Sequence, residues 1–288
     1  MPLDGPRVVA LGGGKGLSAT LRAARTYAGH LTGVVSVGDD GGSSGRLRAE
    51  LGVPAVGDIR RCLSALAGED SLLTRSLEHR FDSGPLAGHA VGNLLLAGLT
   101  MAGGDFSSAV AEVARLTGAR GQLLPATTSP VTLVADSDGG ALIGQVTIER
   151  ASGIRNLHVE PADPETPAGA IEAIEQADQV VLGPGSLFTS VLATAVVPAI
   201  RRAVERTQAQ RVYVANVATT IGEAYGFGLA EHLDAITAHG VRVDVVVAPL
   251  DTVDVSSVHL PVVTAPLAAS DGWGHDPRLL GKVLHGLL

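Results

Sequence analysis

An apolar run, Val8-Val9-Ala10-Leu11, passes directly into Gly12-Gly13-Gly14-Lys15-Gly16, and an apolar-periodic stretch starts at Leu17. Strand, glycine turn and helix start in that order form the first half of a βαβ unit. The glycines let the backbone turn tightly and approach a ligand closely. The helix start then offers unpaired N–H groups and the positive end of a dipole to an anion. A second apolar run, Leu31 to Val37, ends in Asp39-Asp40-Gly41-Gly42-Ser43-Ser44-Gly45, so two glycine-rich turns follow two strands. In an open α/β sheet, ligands bind in the crevice outside the carboxyl ends of the strands. The expectation is a site for a nucleotide or another phosphorylated small molecule. Two named fingerprints do not match: the dinucleotide pattern fails at Leu17, and the P-loop pattern fails at Val9 and Gly16.

The pattern predicts strands at Val8–Leu11, Leu31–Val37, Val131–Asp136, Ala141–Glu149, Arg155–Glu160, Gln179–Leu182, Arg211–Asn216 and Val243–Val247. It predicts helices at Leu17–Tyr27, Asp58–Ala67, His89–Thr100, Ser107–Thr117, Ala168–Gln176, Leu187–Arg206, Gly228–His239 and Pro277–Leu287. Valine-rich runs such as 243–247 suit strands covered on both faces, as in a parallel sheet. Asp136-Ser137-Asp138-Gly139-Gly140 between two strand-like runs signals a hairpin, an antiparallel insertion at about 131–150. Pro161 to Pro167 reads as a surface loop. The expected class is α/β, a Rossmann-like and mostly parallel sheet flanked by helices, with residues 1–288 as a single domain. Val180-Val181-Leu182-Gly183-Pro184-Gly185-Ser186 repeats the strand-to-glycine-turn logic and adds a third loop along the same edge.

Composition narrows the class. The chain has 288 residues and 45% hydrophobic content, enough for a sizeable core, and with aromatics at 3% that core must be Leu, Val and Ala. The formal net charge is -8 and no Lys/Arg-rich run occurs, so a nucleic-acid surface is not expected. Cys62 is the sole cysteine, which precludes an internal disulfide and suits a cytoplasmic location. The first six residues lack the basic-then-apolar pattern of a secretory leader. Val180 to Ile200 is uncharged, but Gly183-Pro184-Gly185-Ser186 interrupts it; it reads as strand, loop and buried helix rather than a membrane span.

The candidate site residues follow from these loops. Gly12, Gly13, Gly14, Lys15 and Gly16, with Gly183, Gly185 and Ser186, are expected to face phosphates. Asp39 and Asp40 lie a little over 20 residues beyond the first loop, where an acid can accept from ribose hydroxyls. Alternatively the pair could hold Mg²⁺ against a phosphate, or lie solvated in a turn. Ser43 and Ser44 offer hydroxyls. Asp58 reads as a helix N-cap and Arg60 as a phosphate clamp. His89 and Asn93 fall at i and i+4, on one helix face. No His/Glu cluster has zinc-site spacing. The glycine two residues beyond a hydrolase serine is missing after Ser186, which reads instead as a phosphate or sugar contact or a helix cap.

With these residues in place, the chain resembles the YvcK-type gluconeogenesis factors. The resemblance rests on 12–18, on Asp39-Asp40-Gly41-Gly42-Ser43-Ser44-Gly45-Arg46-Leu47, and on Gly57-Asp58-Ile59-Arg60. It continues through Gly88-His89-Ala90-Val91-Gly92-Asn93-Leu94, Gly183-Pro184-Gly185-Ser186-Leu187, and Asn216 with Gly222-Glu223. It runs from about Val8 to about His239 and adds Asn216 and Glu223 to the candidate site. It implies a Rossmann-like fold, a cytoplasmic location and binding of UDP-sugars such as UDP-N-acetylglucosamine, in support of cell shape and wall synthesis during gluconeogenic growth. The family is similar to the 2-phospho-L-lactate transferases (CofD), which use Mg²⁺ and a guanosine-linked donor with a deazaflavin acceptor. A CofD-like transferase is therefore the alternative, with Asp40 and Mg²⁺ neutralising diphosphate charge. Self-association into a homo-oligomer stays open. The chain departs from the family pattern at Lys15, Arg61, Ala218-Thr219-Thr220, Ala224 and the tail Trp273-Gly274-His275-Asp276.

Overall fold

The computed structural model describes residues 5–288 apart from 69, 219–221, 251–252, 271 and 273. The departures at Thr219, Thr220 and Trp273 thus lie outside the described residues. Strand β1 (Arg7–Gly12) runs into helix α1 (Gly14–Ala24), and β2 (His30–Val35) follows parallel to β1, Val8 beside Leu31 and Leu11 beside Val34. Strand β3 (Gln122–Pro125) continues the sheet beyond β2. The chain then crosses to the other side of β1 and lays down β7 (Gln179–Leu182), β8 (Gln210–Val214), β9 (Val245–Pro249) and β10 (Val262–Ala265), each parallel to its neighbour. The seven-stranded order is β10-β9-β8-β7-β1-β2-β3. Progression reverses between β1 and β7, where Leu11 sits beside Leu182, so a crevice opens at their carboxyl ends.

Between β3 and β7 the chain builds a second sheet from β4 (Thr132–Ser137), β5 (Gly140–Ile143) and β6 (Arg155–Glu160), ordered β5-β4-β6 and antiparallel. The expected hairpin is there, but its second strand stops at Ile143. Residues expected as strand up to Glu149 form helix α7 (Gln145–Glu149) instead. The Asp40 carboxylate accepts from the Gln145 and Val146 N–H groups at 3.1 and 3.0 Å, so the chain is capped into a helical turn there.

The Gly/Ser string that reads as a loop carries helix α2 (Gly42–Leu51), followed by α3 (Gly57–Leu66), α4 (Leu72–Glu78), α5 (Val91–Gly103) and α6 (Phe106–Leu116). After α8 (Ala168–Glu175) and β7, the single helix expected over 187–206 is broken. A π-helical turn, Leu187–Leu192, leads through α9 (Ala193–Ala195) to α10 (Pro198–Arg206), bent by 75° from what precedes it. Pro198 has no N–H to continue the earlier turn and starts a new helix at its first position. Among the described residues no single helix is long and apolar enough to cross a membrane. Helices α11 (Leu229–Ala238) and α12 (Pro277–His285) complete the chain.

The core is aliphatic, as the aromatic-poor composition requires. Helix α1 buries Leu17 and Leu21 and packs on α3 and α12, each leucine stabilising by roughly 1.5–3 kcal/mol. Two buried hydroxyls tie the loops together. Thr20 donates to the Gly183 carbonyl at 2.8 Å, and Thr194 to the Gly12 carbonyl at 3.0 Å.

Candidate functional site

Three helices begin around the crevice. The first bonds inside them run from Leu17 N–H to the Gly13 carbonyl, from Gly45 N–H to the Gly41 carbonyl and from Arg60 N–H to the Val56 carbonyl. The N–H groups just before those donors have no acceptor inside their own helix. The N-cap residues Gly13, Gly41 and Val56 make no side-chain cap bond, and only α3 carries an acid in its first turn, Asp58. Each start contributes roughly half a positive charge. The first and third glycine loops interlock. A Cβ on Gly16 would lie 1.9 Å from the Pro184 carbonyl oxygen, so only glycine admits this approach. Asn216 clasps the third loop, its amide oxygen accepting from Gly185 N–H and its amide nitrogen donating to the Gly185 carbonyl, both at 3.0 Å.

Two adjoining cavities occupy the crevice and share Arg61 and Ser186 in their walls. The larger, about 860 Å³, is bounded by Lys15, Gly16, Arg22, Gly185, Asn216 and His275 among others. The smaller, about 360 Å³, is bounded by Gly14, Asp39, Ser43, Ser44, Asp58, Arg60, Arg80 and Asn93 among others, and is predominantly polar.

The charges in the small cavity are tightly engaged. Asp58 accepts from Arg61 at 2.8 Å. Burial pushes the Asp58 carboxyl up; Arg61 and the Gly14 N–H pull it back, and Asp39 pushes it further up. Asp39 accepts from the Gly41 N–H at 2.9 Å. The Arg60 guanidinium is buried, paired with Glu78 and directed to the Leu77 carbonyl, and its Nε has no hydrogen-bond partner. His89 Nδ1 meets the Ser43 hydroxyl at 3.0 Å, and the Asn93 amide nitrogen donates to the same hydroxyl at 3.1 Å. His275 bonds the Ala215 carbonyl at 3.0 Å, and burial pushes its imidazole below the usual range.

The expected residues therefore divide. Gly14, Asp39, Ser43, Ser44, Asp58, Arg60 and Asn93 meet in the small cavity, Lys15, Gly16, Gly185 and Asn216 in the large one, and Ser186 between them. Gly12, Gly13 and Gly183 form the turns beneath, and His89 acts behind Ser43. Two residues are engaged elsewhere. Asp40 caps α7 instead of facing the crevice with Asp39. Glu223 is buried and accepts from the Phe188 and Thr189 N–H groups at the start of the π-helical turn. Asp58 is not the N-cap of α3, a position held by Val56. Its carboxylate instead joins α3 to the first loop through the Gly14 N–H.

Sequence reading missed Arg22, Arg61 as a cavity residue, and Arg80. Arg22 carried a usable signal. Lys15, Ser18 and Arg22 fall at i, i+3 and i+7, one polar face of α1. Arg80 lies in a segment with no periodicity, and only the tertiary fold brings it near.

The family model described as 2-phospho-L-lactate transferase CofD matches residues 8–265. A gluconeogenesis factor of Halalkalibacterium halodurans is 43% identical over 235 residues, covering 81% of this chain and 73% of that protein. A Nostoc sp. relative given that designation provisionally is 46% identical over 237 residues, 81% of this chain. The chain spans about half, 52%, of the Nostoc protein's length. A crystal structure of a UPF0052-family protein from Bacillus halodurans superposes with a TM-score of 0.92 at 33% identity, covering 98% of this chain and 99% of that one.

Proposed function

This chain belongs to the CofD family, among its gluconeogenesis factors, and on that premise we propose that its crevice is a nucleotide-sugar site through which a cytoplasmic regulator senses UDP-sugars and supports cell-wall synthesis during gluconeogenic growth. The observation that carries this reading is the convergence of three helix starts, none capped by its own N-cap side chain, on two joined cavities at the point where strand order reverses. In this reading the nucleoside lies in the large cavity beside Asn216 and His275. The diphosphate crosses at Arg61 and Ser186, and the sugar enters the small cavity. Arg61 supplies a planar fork suited to phosphate oxygens.

The CofD relationship also implies Mg²⁺. Among the described residues no group of three or more His, Cys, Asp or Glu is placed to hold a metal. Asp39 and Asp58 do face one small cavity and feel each other's charge. Two carboxylates beside a phosphate suit Mg²⁺, which would offset diphosphate charge between these residues. That acid pair supports the second reading, a transferase acting on a guanosine diphospho donor.

Calorimetric titration with UDP-N-acetylglucosamine, and with GDP plus Mg²⁺, decides between them. The regulator reading expects UDP-sugar binding without turnover. Binding of the guanosine ligand alone would replace it with the transferase reading.

A further inference from the structure

Asn93 stands at the start of α5, 2% exposed, in the wall of the small cavity. Its amide nitrogen is used, donating to the Ser43 hydroxyl at 3.1 Å. Its amide oxygen is buried and has no hydrogen-bond partner. A buried acceptor left unmade costs on the order of 1–3 kcal/mol, so a fold that retains one at a cavity wall points to a partner from outside.

The contacts behind Asn93 engage one amide atom and leave the other unpaired. Ser43 has a single hydroxyl proton. Asn93 donates to the Ser43 oxygen, and the Ser43 hydroxyl also pairs with His89 Nδ1, 3.0 Å away. The amide nitrogen is thereby engaged with Ser43, and the amide oxygen is the atom left without a partner in a residue that lines the cavity. All three side chains are at most 7% exposed, so bulk water does not compete for these bonds. The rest of the wall mixes the starts of α1, α2 and α3 and the cations Arg60, Arg61 and Arg80 with the acids Asp39, Asp58 and Glu149, and Asp39 and Asp58 are already engaged by the Gly41 N–H and by Arg61. An amide oxygen only accepts, so it does not serve a phosphate oxygen. It serves a neighbouring hydroxyl or N–H.

We propose that the Asn93 amide oxygen accepts from a hydroxyl or amide N–H of the group attached to the ligand's phosphate, making Asn93 a specificity residue and Ser43 and His89 its positioning residues. The proposal rests on the nucleotide-sugar reading of the crevice and adds what the small cavity selects: a phosphate-linked group bearing a donor, against a bare terminal phosphate.

The test is calorimetry of wild type, Asn93→Ala and Ser43→Ala with UDP and with UDP-N-acetylglucosamine, the fold of each variant checked by thermal melting. Wild type should bind the sugar nucleotide more tightly than UDP. Asn93→Ala should weaken UDP-N-acetylglucosamine by about tenfold, the worth of one buried hydrogen bond, and leave UDP unchanged. Ser43→Ala keeps the oxygen but frees the amide to turn, and should lose a smaller part of the same discrimination, about threefold. Equal losses for both ligands in the variants, or none, would overturn the assignment while the crevice reading stands. If wild type binds neither ligand, the crevice reading fails and the assignment falls with it.

Discussion

Glu223 accepts from the Phe188 N–H at 2.8 Å and the Thr189 N–H at 3.1 Å while only 2% exposed. Burial raises its carboxyl above the ordinary carboxylate range, and the bonds from Thr189 and Phe188 pull it back. A raised folded value means the native chain holds that proton more tightly than the unfolded chain does. Its contribution to stability is then fully present below the unfolded value and is lost as pH rises through the folded one. Glu223→Gln removes the titration, so the stability advantage of wild type over this variant should be larger in mild acid than at neutral pH, as read by urea unfolding at both. Glu223→Ala orphans two buried N–H groups and should cost about 2–3 kcal/mol. Asp40 illustrates the limit of reading residues from sequence. Its place in the Asp-Asp-Gly-Gly string marks it as a ligand contact, yet a segment more than a hundred residues later claims both its oxygens. Asp40→Ala is therefore expected to cost about 1 kcal/mol, as for loss of a helix cap, and to leave UDP-N-acetylglucosamine affinity within about twofold. A tenfold loss of affinity by titration calorimetry would return Asp40 to the site.

At the scale of elements, glycine turns and buried strands were legible, while short or locally disfavoured elements were not. Val8–Leu11 of β1 and Val180–Leu182 of β7 are apolar and buried, and each run passes directly into glycine, so the two loops that matter most could be placed from sequence. Helix α2 begins Gly-Ser-Ser-Gly, a composition of low helix propensity that tertiary contacts override. Strands β3 and β10 are four residues each and terminate the sheet, too short to show a period. The small cavity was half legible. Its loops could be named, but the relay through Ser43, His89 and Asn93 depends on α2 and α5 meeting, which no local pattern encodes. The interlock of the first and third loops yields a prediction at this scale. Gly16→Ala drives a methyl into the Pro184 backbone, with its carbonyl carbon at 2.6 Å and Gly185 Cα at 3.1 Å. It should cost about 1–3 kcal/mol and weaken nucleotide binding. Gly98→Ala, where a Cβ meets nothing within 4 Å in helix α5, should instead stabilise by about 0.5–1 kcal/mol. Thermal melting of the pair checks both signs.

Across the whole molecule, aliphatic side chains from both faces of the large sheet form one contiguous core, and Cys62 is fully enclosed in it. Burial pushes its thiol up, well away from the reactive thiolate. In native protein Cys62 should react with an aromatic disulfide reagent only as fast as the chain unfolds, and immediately in denaturant. Rapid labelling under native conditions would show that the core around α3 opens locally. The pairing of β1 with β7 has a further consequence, in time. Arg7 and Asp178, joined across those strands, are 171 residues apart. At roughly 5–20 residues per second of synthesis, the first glycine turn leaves the ribosome roughly 10–30 s before the strand that completes its crevice is made. A chain released before residue 179 therefore has the motif without the cavity. Competence to capture a ligand is a property only of translation products that have passed that point, and occupancy of the crevice would stabilise those chains alone.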